Sequence, residues 1–205
     1  MAIRNLRYEG DPILLKKSRE VEVFDEKLKE LAKDMLDTMH KYDGVGLAAV
    51  QVGILKRLIV IDLGEETEPM ALVNPVLVKA KGEQECDEGC LSFPNKFGKV
   101  KRPIEVVVDA QDLDGKKIRI KGSELLAQAL CHEMDHLDGI VFTTKVESGT
   151  MEEYDPQTKT SRPLADPMEL IENNKKRWGK AHENSIYGYA WFCRRKFKKH
   201  FWCRL

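Results

Sequence analysis

A chain of 205 residues is long enough to bury one sizeable core and carry an appendage. With 42% hydrophobic and 33% charged residues it is not a fibrous, collagen-like or disordered chain. The formal charge of zero divides unevenly: after Ile171, ten Lys and Arg face only Glu172 and Glu183, a net +8, so residues 1–171 carry −8. An acidic body with a basic tail marks a composition boundary, and such a tail has an electrostatic reason to meet an anionic partner such as RNA.

The opening residues, MAIRNLRYEGDPILL, mix charge with apolar side chains and lack the continuous apolar run of a signal peptide or membrane span, so a cytoplasmic protein without membrane association is expected. The cysteines (Cys86, Cys90, Cys131, Cys193 and Cys203) are odd in number and scattered. That pattern suits reduced thiols better than a disulfide framework.

Along the chain, Leu28, Leu31, Ala32, Met35, Leu36 and Met39 recur at helical spacing between Asp25 and Lys41, with Asp25 placed to cap and Gly44 just beyond the end. The segment GVGLAAVQVG that follows sets Gly44, Gly46 and Gly53 among small residues, and reads as a loop or irregular strand whose backbone can approach another group closely. Arg57 to Leu63 and Ala71 to Ala80, rich in Val, Ile and Leu, predict strands. Ile104 to Asp112 and Lys116 to Lys121 flank Asp114-Gly115, a hairpin signal. Ser123 can cap a helix from Glu124 to about Leu137 that Gly139 would end. Asp155 to Pro167, with three prolines among polar residues, reads as a linker. The order helix, strands, helix predicts an α+β fold.

Within the second helix stands HEMDH. His132 and His136, four residues apart, project from one face and can share a metal ion. Glu133 follows the first His, where it can reach a water on the metal without ligating it and act as general acid and base, as in zinc hydrolases. Taken alone, this spacing also arises on solvated helices. A catalytic metal takes three protein ligands and one open position, and the best third candidate is Cys90 in DEGCLSFP. Cys86 and Cys131 read as small buried hydrophobes. Glu88 is placed either to orient a ligand histidine or to be a solvated carboxylate.

Together GVGLAAVQVG, EGCLS and HEMDH resemble the three signature motifs of the peptide deformylases, in order and spacing, over roughly residues 1–146. The resemblance implies an α+β fold in which antiparallel sheets surround a central HExxH-bearing helix. It implies an amide hydrolase that removes the formyl group from the N-terminal formylmethionine of newly synthesised polypeptides and releases formate. Its metal would be Fe2+, with Zn2+, Ni2+ or Co2+ as substitutes. Gln51 and the backbone N–H of Leu91 would hold the carbonyl oxygen as charge develops, a service whose loss slows acyl transfer by about 10²- to 10³-fold. Val45 and Gly46 would hydrogen-bond an extended N-formylmethionyl substrate, with Gly89 beside it. Gln128 and Ala129, three to four residues before His132, share its face and would line the pocket for the methionine side chain. Family members more often carry apolar residues there, and Gln128 could instead be a surface residue.

The chain divides into a catalytic domain over residues 1–150, a linker or domain end at 151–171, and a basic, aromatic tail at 172–205. All the tryptophans lie in that tail, where alternating aromatic and basic residues can stack on bases and neutralise phosphates. The ribosome is therefore a candidate partner, against the alternative of an incidental extension. Two other functions compete: an HExxH peptidase cutting internal bonds, opposed by EGCLS and GVGLAAVQ, and a silent binding protein, opposed by a complete set of ligands, base and oxyanion donors.

Overall fold

The computed structural model describes residues 2–64 and 68–164; the expected basic tail and the last residues of the expected linker lie outside the described residues. In chain order come α1 (Glu26–Lys41), β1 (Gly46–Ala48), β2 (Leu58–Ile61), β3 (Met70–Lys81), β4 (Gln84–Cys90), β5 (Phe93–Arg102), β6 (Glu105–Gln111), β7 (Lys117–Ser123), α2 (Glu124–Leu137), β8 (Glu152–Asp155) and β9 (Thr160–Pro163). The strands form two antiparallel sheets, ordered β1-β2-β3-β6-β7 and β4-β5-β8-β9. This is the expected α+β architecture.

In the first sheet, β2 is buried on both faces. On α1, capped by Asp25 accepting from Leu28 N–H at 3.0 Å, the buried Leu28, Leu31, Ala32, Met35 and Met39 meet Leu58 and Val60 of β2. The alternate residues Ile59 and Ile61 turn to the opposite face, where Ala127, Leu130 and Leu137 of α2 cover them. All four residues of β2 are therefore buried, which is why the run reads as continuously apolar. Truncating a side chain such as Leu28 or Leu130 to Ala should cost about 2–5 kcal/mol.

Three details differ from the sequence reading. Ser123 does occupy the N-cap of α2, but its side chain makes no capping bond; instead Glu124, at φ 50°, donates its N–H to Ile104 C=O at 2.8 Å. Strands β4 and β5 are absent from the sequence reading because their inward positions are not uniformly apolar: Cys86, Glu88 and Cys90 face in along β4. The segment read as a linker continues the second sheet to Pro163, since β9 pairs with β8 and β8 with Lys96 and Phe97 of β5. Met151 and Tyr154 are buried there, and Pro163 sits in an edge strand, where a missing N–H is harmless.

Candidate active site

Helix α2 carries His132 and His136 one turn apart, their rings edge to face at 5.0 Å between centroids. Cys90 ends β4 where the pairing register with β5 shifts between Gly89 and Cys90, a bulge that re-aims the side chain. The ligand atoms of Cys90, His132 and His136 all lie within 4.8 Å of one another, and Cys90 Sγ is 3.2 Å from His136 Nε2. All three residues are buried. A cysteine sulfur and two imidazoles converging from a strand end and one helix face make a donor set that suits a borderline-soft divalent ion.

Glu88 orients the first histidine. Its Oε2 meets His132 Nδ1 at 3.0 Å, so Nε2 is the nitrogen left to face Cys90 and His136. Arg102 grips the same carboxylate with Nε at 2.7 Å and Nη2 at 3.0 Å, and reaches Asp135 with Nη1 at 2.6 Å; Lys145 closes the chain on Asp135 at 2.8 Å. Burial pushes the Glu88 carboxyl up, but the bonds from His132 and Arg102 outweigh it and hold its pKa at about 2. Burial likewise presses the His132 value down, yet Cys90 and Glu88 raise it well above the ordinary one. His136 is held well below, by burial and then by His132.

Glu133 is buried, and its Oε2 finds no hydrogen-bond partner among the described residues. Burial raises its pKa to about 7, the range in which one carboxyl can both take and give a proton near neutrality. Against it runs the backbone of β1: a Cβ on Gly46 would lie 2.9 Å from Glu133 Cγ and Cδ, so any larger residue there must displace the Glu133 side chain. β1 is the edge of its sheet. Val45 C=O accepts from Asp62 N–H at 3.0 Å, on the β2 side. Because alternate residues of an antiparallel pair turn their backbone groups to opposite sides, Gly46 presents its own to the open edge.

The Gln51 side chain is fixed at both ends of its amide. Oε1 accepts from Ala48 N–H at 2.8 Å; Nε2 donates to Ser92 Oγ at 3.1 Å and lies 3.4 Å from Cys90 Sγ. Leu91 follows Cys90 directly and is buried under Gly44, where a Cβ would come within 2.7 Å of Leu91 Cδ1.

With this geometry established, comparison with known proteins decides the family. A family model described as polypeptide deformylase matches residues 3–152. The chain belongs to the polypeptide deformylase family. It is an enzyme of the peptide deformylase type, 56% identical over 146 residues to the peptide deformylase of Acetivibrio thermocellus, covering 71% of this chain and 85% of that one. Against the peptide deformylase of Caldicellulosiruptor bescii it is 49% identical over 170 residues, 83% of this chain and 99% of the other. The crystal structure of a peptide deformylase from Legionella pneumophila superposes with a TM-score of 0.69 at 46% identity, covering 71% of this chain and 87% of that one.

The residues read from the three deformylase motifs meet in space: Gln51 and Cys90 touch, Cys90 meets His136, and Gly46 backs onto Glu133. Gly89 lies half-buried in β4, opposite Phe97. Ala129 is buried, and Gln128 is buried too, with Nε2 donating to Asp87 C=O at 3.2 Å, so it ties α2 to β4 and is no solvated surface residue. Sequence reasoning missed Arg102, Asp135 and Ser92. Arg102 stands in KVKRPIE, which looks like any solvated basic run; Asp135, three residues after His132, was visible on the ligand face.

Proposed function

We propose that this enzyme hydrolyses the N-formyl group of formylmethionyl nascent polypeptides, yielding formate and a free α-amino terminus. The observation that carries the reading is the convergence of Cys90, His132 and His136 within 4.8 Å beside Glu133, with its carboxyl buried and its pKa near 7. Ferrous iron held there, with Zn2+, Ni2+ or Co2+ as substitutes, would supply a Lewis acid for the formyl carbonyl and make hydroxide available near neutrality. Glu133 accepts the proton of the attacking water and delivers it to the departing amine. Gln51 Nε2 and the Leu91 N–H receive the formyl oxygen as it gains charge. The free backbone edge at Gly46, next to Val45, takes the peptide as an added strand. Gln128 and Ala129 border the methionine pocket, and Gly89 flanks the bound chain.

Nascent chains as substrates imply a cytoplasmic enzyme; no helix of the described residues is long and apolar enough to cross a membrane. The tail after Ile171, with its net charge of +8, is proposed as a ribosome contact. Cutting it off should leave activity on short peptides unchanged and weaken ribosome co-sedimentation at low salt. The main test is amine release from matched peptides that differ only at the blocking group. Formyl-methionyl peptide should react far faster than the acetyl form; equal rates, or cleavage of an internal bond, would overturn the reading.

A further inference from the structure

The N-terminal segment makes two backbone bonds that the proposed reaction leaves unexplained. Arg7 N–H donates to Gln51 C=O at 2.7 Å, and two residues on, Glu9 N–H donates to Ser92 C=O at 2.8 Å. One short stretch therefore ties the turn that carries Gln51 to the turn that carries Leu91 and Ser92. Ser92, wholly buried, also takes the Gln51 amide on its own hydroxyl.

The stretch is anchored on both sides. Upstream, Ala2 N–H and Arg4 Nε each donate to the Asp34 carboxylate of α1 at 2.9 Å, and Arg4 N–H donates to Thr38 Oγ1 at 2.9 Å. Downstream, the Glu9 carboxylate pairs with Lys96 of β5, at relative exposures of 9% and 6%. The other oxygen, Glu9 Oε1, is buried with no hydrogen-bond partner among the described residues. Such a pair is a poor source of stability, because desolvating two charges cancels most of their attraction and an apolar pair of the same volume serves as well. What a hydrogen-bonded ion pair does supply is a fixed separation and direction.

We infer that Glu9 and Lys96 are positioning residues for the acyl-oxygen donors: their pair holds Arg7–Glu9 in register, and that stretch sets the distance between Gln51 Nε2 and the Leu91 N–H. The inference rests on the proposed roles of Gln51 and Leu91. Glu9 and Lys96 act through the two backbone bonds and Ser92, not by touching substrate.

A double-mutant cycle in the metal-loaded full-length chain tests it. Glu9→Gln and Lys96→Met are each made alone and combined with Gln51→Ala, metal content is checked at one per chain, and kcat and KM are measured on a formyl-methionyl peptide. In the wild-type background each substitution should lower kcat at least about tenfold with little change in KM, since small misplacement of a group that stabilises the transition state is costly. In the Gln51→Ala background the same substitution should cost less than about threefold, because the donor it positions is already gone. Equal losses in both backgrounds, or unchanged kcat in the first, overturn the inference. Should a single charge removal prevent folding, Glu9→Leu with Lys96→Met removes both buried charges and runs the same cycle with the same expectations. A wild-type chain inert toward the formyl peptide would instead overturn the functional reading, and with it this inference.

Discussion

His132 directs Nδ1 at Glu88 Oε2, 3.0 Å away, and so commits its other ring nitrogen to the side where Cys90 and His136 converge. Glu88 cannot swing away, because Arg102 holds both of its oxygens. An imidazole whose tautomer and tilt are set in advance binds a metal without first ordering itself.

Glu88→Gln should therefore weaken metal binding about 10- to 100-fold, since a carboxamide neither holds the ring as firmly nor raises its basicity. Competition against a chelator of known affinity measures this. Asp135 still pairs Arg102 in the variant, so the fold should persist, and an unchanged affinity would show that the ring needs no such partner.

Gly46→Ala probes the contact between β1 and Glu133, the proposed acid/base residue. The added methyl must displace the buried Glu133 side chain, at a stability cost of about 1–3 kcal/mol. Turnover should fall while bound metal stays near one per chain. Normal denaturant midpoint and normal kcat together would mean that Glu133 has room to move.

Acid sensitivity should be traceable to Asp34, which anchors the N-terminal segment. The Ala2 N–H, and with it Arg4, holds this buried carboxyl below its ordinary value against the upward push of burial. A depressed folded-state pKa contributes stability that is complete above the unfolded value of about 3.9 and is lost as pH falls through the folded one. Denaturant midpoints of the wild type and Asp34→Asn should differ at neutral pH, by about 1–3 kcal/mol in unfolding free energy, and converge as pH drops below about 4. Curves that stay parallel down to acid pH would assign the anchoring to neutral hydrogen bonding.

Much of this molecule was legible in the sequence. The spacing from Leu28 to Met39 located α1, Asp114-Gly115 located the β6–β7 hairpin, and HEMDH with Cys90 named three donors that do converge. What stayed hidden depends on partners distant in the chain. Nothing local distinguishes Arg102, fourteen residues from Glu88, from an exposed arginine. Lys96 and Glu9 lie 87 residues apart and become a buried pair only when β5 meets the N-terminal segment. β4 escaped notice because Glu88, a charged residue, occupies an inward position, a place that only Arg102 and His132 make tolerable.

In the proposed mechanism Cys90, His132 and His136 hold a metal while Glu133 moves the proton, and one measurement separates these roles. Metal content and formyl-peptide turnover are determined on the same anaerobic preparations of Glu133→Ala, His132→Ala and Cys90→Ala. Glu133→Ala should keep about one metal per chain and lose about 10²- to 10⁴-fold in kcat, whereas the other two should lose the metal itself. An empty site in Glu133→Ala together with full metal content in Cys90→Ala would contradict the account.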